Sequence, residues 1–311
     1  MKKFLINLVC AFVPNDARRR KLRRRLRGEK QISIQNIWDL CQNELGEIKN
    51  HIGQIYTHFE PRFNQISGQL NNPIATPEWI NRNIEKKLST ALMHQKTFLP
   101  FKAIHSGQDI VMVATGPSLN DFQLIDNAIY IGVNTSFLMD RIKLDYLFAQ
   151  DYLAVSKHIR EMNKYRPGEC KKFYGVTTEF DNEFRRVIPE SHAIAAGALR
   201  YRTDWEAIPG FCPKFAYDIS VQSLGCFGSI IFPAIQFALW TNPRRIYLVG
   251  CDCSNLGHYD QSKSEDLSHL IEPWRKLKEF VSIYYPETEI ISVNPVGLAG
   301  IFTDLYQTQG N

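Results

Sequence analysis

The sequence predicts an α/β protein: a mostly parallel sheet faced by helices, with an N-terminal helical extension. Three observations predict it. Short apolar runs rich in β-branched residues, such as Ile110-Val111-Met112-Val113, stop at Gly, Pro, Asn or Asp, as buried strands do. These runs alternate with stretches of helical pattern, which implies strands running the same way. The chain has 311 residues, 44% of them hydrophobic, enough for one large domain with appendages.

Residues 1–30 come first. Phe4 to Val13 is apolar apart from Asn7, and Arg18, Arg19, Arg20, Lys21, Arg23, Arg24, Arg25 and Arg27 follow. Asn15-Asp16 and the arginine run stand where a signal peptide would have its cleavage site, so export is not expected. The apolar stretch reads as a segment lying in a membrane interface, with the arginines on anionic headgroups of the inner leaflet. A solvated basic tail with affinity for RNA is the other reading. The whole chain carries +5; residues 1–30 hold eleven basic and two acidic residues, +9, which leaves −4 elsewhere. A mildly acidic body argues against nucleic-acid binding by that body. No run approaches the ~18 apolar residues of a membrane span, and the expected location is the cytoplasm, peripheral on the inner membrane.

A helical neck is expected over 31–72. Ile34, Ile37, Cys41, Leu45, Ile48, Ile52, Ile55, Phe59, Phe63, Ile66 and Leu70 recur in steps of three or four, a coiled-coil-like face. Pro61 kinks or splits it. Two readings stand: a stalk for self-association or spacing through residues 34–70, and a hairpin packed on its own domain. Asn71-Asn72-Pro73 marks the boundary, and a connecting helix occupies 73–107.

The body, 108–311, opens with Asp109–Val113 and the turn Thr115-Gly116-Pro117-Ser118. A strand running into a helix start presents free amides and a positive dipole end, which suits a phosphate. Further strands are expected at 128–133, 145–149, 172–176, 245–250 and 289–293, with an apolar helix from Ser229 to Leu239. Thr115, Asn134, Gln150, Thr177, Asp252 and Asn294 stand at strand ends, where ligands of a Rossmann-like sheet bind. The seven cysteines lack the regular spacing of a disulfide framework. Cys251-Asp252-Cys253 has the wrong spacing for a zinc knuckle. No metal site is expected.

Gly116-Pro117-Ser118-Leu119 after one strand, Asn134 after the next, and Gly228-Ser229 leading to Ile246–Asp252 resemble two related groups. One is the bacterial family 42 sialyltransferases. The other is the 6-hydroxymethylpterin diphosphokinase-like group that includes flagellin-modifying motility accessory factors. The resemblance covers roughly 108–300. It implies a Rossmann-like variant of the glycosyltransferase A-type fold, a CMP-linked sugar donor, no metal cofactor and a histidine base. By motif, Gly116, Pro117 and Ser118 would lie near the cytidine and phosphate, and Asn134 would contact the nucleotide. Gln150 matches a second asparagine, Tyr259 a phosphate-binding tyrosine, and His269 the catalytic histidine. Thr115 and Ser254 replace an asparagine and a tyrosine, and Gly228-Ser229 inverts the family's Ser-Gly.

Inverting glycosyl transfer needs a base and a group to stabilise the departing phosphate. His269 suits the first role, since histidine titrates near neutrality. Tyr259, His258 and the Gly116–Ser118 amides suit the second. Surface or loop positions are the plain alternatives for the two histidines; Asp252 either binds ribose or supports the loop. Gly-Pro-Ser lacks the pattern of a nucleophilic serine. The expected activity is transfer from a nucleotide sugar, by preference a CMP-nonulosonic acid, to a lipid-linked or surface glycan such as lipopolysaccharide or capsule. A pterin diphosphokinase using Mg-ATP and a non-catalytic scaffold are the alternatives.

Overall fold

The computed structural model describes residues 77–177, 187–204, 214–262 and 266–307. The basic segment and the neck lie outside these residues. The strands are β1 (Asp109–Val113), β2 (Ile129–Val133), β3 (Tyr146–Ala149), β4 (Lys171–Thr177), β5 (Leu199–Asp204), β6 (Leu224–Gly225), β7 (Arg245–Val249), β8 (Glu289–Val293) and β9 (Thr303–Leu305). They form one nine-stranded sheet in the order β6-β5-β4-β3-β2-β1-β7-β8-β9. Every pairing in it is parallel, so the sheet is more uniform than "mostly parallel" anticipates.

The helices are α1 (Pro77–Phe98), α2 (Tyr152–Val155), α3 (Ile159–Lys164), α4 (Glu190–Ala196), α5 (Ile231–Trp240) and α6 (Ile271–Tyr284). Side chains alternate across a strand, and the core divides accordingly. Ile110 and Met112 of β1 pack with residues of α1, α5 and α6 on one face. Val111 and Val113 pack with residues of α2, α3 and α4 on the other. A sheet covered on both faces explains why its strands read as continuous apolar runs. The first face is dense in aromatics: Phe148 and Phe173 stack at 4.5 Å and Phe173 meets Phe237 at 4.9 Å. Helix α5 is buried along its whole length, which is why its sequence has no polar face.

One polar side chain inside that helix finishes the sheet. Gln236, 1% exposed, accepts from the Gly225 and Ala216 amides at 3.2 and 2.9 Å. Its amide group donates to the Gly225 carbonyl at 2.8 Å. It thus gives β6 the bonds that a further strand would give.

The connection after β1 differs from the expected helix. Pro117–Asp121 is a five-residue 3-10 turn, with i→i−3 bonds from Leu119 to Gly116 and from Phe122 to Leu119. Asn127, at φ +57°, then turns the chain into β2. The connection holds this 3-10 turn and no α-helix. The sequence order of the strands reverses at β1, flanked by β2 and β7. That switch point leaves a crevice beyond the carboxyl ends of the strands.

Candidate functional site

A cleft of about 260 Å³ occupies this crevice. The ends of four adjacent strands line it: Thr115 and Gly116 after β1, Asn134 after β2, Gln150 and Asp151 after β3, and Gly250 to Ser254 after β7. Gly228 to Ile231 at the start of α5 and His258 close its sides, and the buried Trp274 of α6 lies at its base. Of the strand-end residues, Thr177 and Asn294 are not among the lining residues. Neither are Pro117, Ser118, Tyr259 and His269. No Lys or Arg stands among the lining residues, and two aspartates do.

The first loop is held by the protein itself. Gly116 N–H donates to the Gly250 carbonyl at 2.8 Å, and Ser118 N–H donates to the Asp252 carboxylate at 2.9 Å. The Ser118 hydroxyl donates to the other oxygen of the same carboxylate. Pro117 has no N–H. The amides expected to face a phosphate are therefore already engaged, and Asp252 acts as support for the loop. Burial raises the Asp252 carboxyl above its usual range, and the two Ser118 bonds oppose that shift.

Gln150, 4% exposed, is likewise engaged. Its amide donates to Thr203 Oγ1 at 2.9 Å, and the Cys226 thiol reaches its Oε1 at 3.6 Å. It ties the end of β3 to those of β5 and β6. The Asn134 backbone is left-handed at φ +47°, a conformation asparagine tolerates. Its Oδ1 is buried without a partner among the described residues, which leaves an acceptor for a ligand's donor. The Tyr259 hydroxyl donates to the Thr135 carbonyl at 3.1 Å, and its ring packs on the core of the second face. It serves the wall rather than the cleft.

The start of α5 is open. No side chain caps it. Ser229 N–H bonds back to Cys226 and Phe232 N–H to Ser229, whereas the Ile230 and Ile231 amides bond no described residue. Both residues line the cleft. An uncapped helix start of this kind holds an anion through its amides and dipole.

His269 stands beside it. A Cβ built on Gly228 would lie 4.0 Å from His269 Nε2. The ring's Nδ1 is 3.1 Å from the Asp266 carbonyl. A carbonyl only accepts, so Nδ1 carries the proton in the neutral ring and Nε2 carries the lone pair. Ser268 donates to Asp266 and holds that carboxyl below its usual range, which leaves a carboxylate near the imidazole. His258 Nδ1 lies 3.0 Å from Thr115 Oγ1. Its loop is pinned by Tyr259 N–H to the Thr115 carbonyl at 2.9 Å and by its own N–H to Ser262 at 3.0 Å.

Ser254, which replaces the family tyrosine, lines the cleft; sequence reasoning gave no site role to Asp151, Trp274 or the thiols of Cys226, Cys251 and Cys253, which line it too. Asp151 accepts from Leu153 N–H at 2.9 Å and so caps α2. Burial pushes the Cys226 and Cys253 thiols up to about 11 and raises Cys251 as well, so all three are neutral packing groups. Among the described residues no three His, Cys, Asp or Glu come together as metal ligands.

No family model matches the chain, and no curated protein matches it. Among solved structures it is similar to the MAf glycosyltransferase from Magnetospirillum magneticum AMB-1. That match has 15% identity and a TM-score of 0.39, covering 70% of this chain and 38% of that one. The chain thus spans under two fifths of that protein's length. It is also similar to the sialyltransferase CstII from Campylobacter jejuni, solved with the substrate analogue CMP-3FNeuAc. There the identity is 11% and the TM-score 0.33, over 64% of this chain and 85% of that one.

Proposed function

We propose that the chain is a glycosyltransferase whose donor is a nucleoside-monophosphate sugar, by preference a CMP-linked nonulosonic acid. One observation carries the reading: the lone-pair nitrogen of His269 stands beside the open amide end of α5 at the edge of a strand-end cleft. A base and an anion-binding site next to each other are what inverting transfer requires. The acceptor oxygen attacks the anomeric carbon as the carbon–oxygen bond to phosphate breaks. The phosphate oxygen keeps the bonding pair, and His269 Nε2 takes the acceptor's proton. The positive end of a helix is worth about half a unit charge. That suits the single charge of a phosphodiester better than a diphosphate, given two aspartates and no lining cation. The reaction as proposed uses no metal cofactor.

The acceptor is a lipid-linked or surface glycan such as lipopolysaccharide or capsule. Residues 1–30 hold the enzyme at the inner leaflet, on the cytoplasmic side, where such acceptors are presented. Among the described residues no helix is long and apolar enough to cross a membrane.

The test is thermal stabilisation by CMP, UDP, GDP and ATP, each with and without Mg²⁺. A ligand at one hundred times its Kd adds about 2.7 kcal/mol. The expected result is a metal-independent shift with CMP. In the same series His269→Ala keeps the CMP shift and loses transfer to a soluble acceptor. A shift with Mg-ATP alone replaces the reading with a diphosphokinase. No shift with any nucleotide points to a scaffold instead.

A further inference from the structure

We propose that His258 is a ligand of the donor's phosphate in its protonated form, so that nucleotide binding is linked to the uptake of one proton. The inference rests on the donor reading above and goes beyond it. A phosphate in this cleft finds few partners. The Gly116 and Ser118 amides are engaged with Gly250 and Asp252. The Tyr259 hydroxyl is engaged with Thr135. No Lys or Arg stands among the lining residues. The open end of α5 supplies about half a charge, and a group that can become cationic would supply the remainder. His258 is the histidine among the lining residues.

Thr115 can hold the ring in either charge state. Thr115 Oγ1, 3.0 Å from Nδ1, is a hydroxyl and accepts from Nδ1–H once the ring is charged. That bond fixes the ring and leaves Nε2–H as the donor to phosphate. The titratable groups of its own loop are Asp260 and Tyr259, and Asp252 after β7, Asp151 after β3 and the three thiols line the same cleft. Asp260 lies near enough for His258 to lower its carboxyl, yet its Oδ1 is bound by the Ser262 N–H and hydroxyl. The thiols are neutral.

The test measures Kd by calorimetry from about pH 5.5 to about pH 8.5, on either side of the usual imidazole range. The probe is the 5′-methyl ester of CMP, a phosphodiester. It avoids the second phosphate ionisation near pH ~6 that would confound CMP itself. Cytidine is the control without phosphate. For the intact chain the ester's affinity is expected to fall about tenfold per pH unit once the ring deprotonates, while cytidine binding stays flat. His258→Gln removes the slope and binds the ester at high pH about as the intact chain does. His269→Gln keeps the slope. Thr115→Val weakens it, which guards against a misfolded His258 variant. A flat ester profile in the intact chain overturns the inference alone, as does a slope that disappears in His269→Gln but persists in His258→Gln. Failure of both ester and cytidine to bind the intact chain overturns the donor reading and the inference with it.

Discussion

Gly116 occupies a place where no side chain fits. A Cβ there would lie 2.6 Å from both the Asp252 side chain and the Gly250 carbonyl. Both neighbours are fixed, since Gly250 accepts the Gly116 amide and Asp252 holds Ser118. Relief must therefore come from the backbone of the loop, at about 1–3 kcal/mol. Gly107 is a useful contrast: its φ is +77° but nothing lies within 4 Å of a built Cβ. Alanine there meets only left-handed backbone strain, about 1–2 kcal/mol. Gly116→Ala is expected to lower Tm and to weaken CMP binding at least tenfold, whereas Gly107→Ala lowers Tm and leaves binding unchanged. Equal binding in the two variants would mean that the loop's geometry does not shape the cleft.

Single elements are joined by buried polar bolts, and one of them titrates. His94 of α1 is fully buried. Its Nε2 accepts from Arg202 N–H of β5 at 2.7 Å, and its Nδ1 donates to the Ile219 carbonyl at 2.9 Å. The ring must be neutral to make both bonds, and burial lowers its pKa from 6.5 to about 4. The folded state therefore binds this proton less readily than the unfolded state. The contribution of His94 is intact above pH 6.5, declines as pH falls toward about 4, and is constant below that. The range amounts to about 3 kcal/mol, or roughly 10 °C in Tm for a domain of this size. Glutamine can also donate to Ile219 and accept from Arg202 without titrating. His94→Gln should thus show a shallower decline over this window. An identical decline in the two proteins would place the acid sensitivity elsewhere.

The elements also differ in how far the sequence discloses them. β1, β2, β3, β4, β7 and β8 are legible because burial on both faces demands continuous apolar runs. β5 is not: Leu199-Arg200-Tyr201-Arg202 alternates apolar and charged residues. The fold accommodates both arginines, Arg200 on the Ile188 carbonyl and Arg202 on Ser89 Oγ. β6 and β9 have two and three residues, too few for any period. In the site, the strand-end residues are legible from the order of strand and loop. Two contacts are not. Thr115 meets His258 across 143 residues, and Gly228 comes close to His269, because tertiary packing alone brings them together. The engagement of the Gly116–Ser118 amides is equally hidden, since it depends on Asp252 crossing from β7.

Across the whole molecule, charge is segregated. Residues 1–30 carry +9 against −4 for all that follows, and Pro77–Asn311 make one compact unit by themselves. A body with net negative charge is repelled by an anionic bilayer, so the membrane attachment proposed above would have to come from the first thirty residues. Each basic residue near such a surface contributes about 1 kcal/mol, and the apolar stretch from Phe4 to Val13 adds burial in the interface. The full chain is expected to sediment with vesicles containing anionic lipid and much less with purely zwitterionic ones. Attachment should weaken on raising salt, because screening shortens the reach of the arginines. A chain lacking residues 1–30 should stay in the supernatant and still bind CMP, since the cleft lies wholly within the compact unit. A truncated chain that still sediments with the vesicles would refute attachment through this segment and move it to the neck or the body.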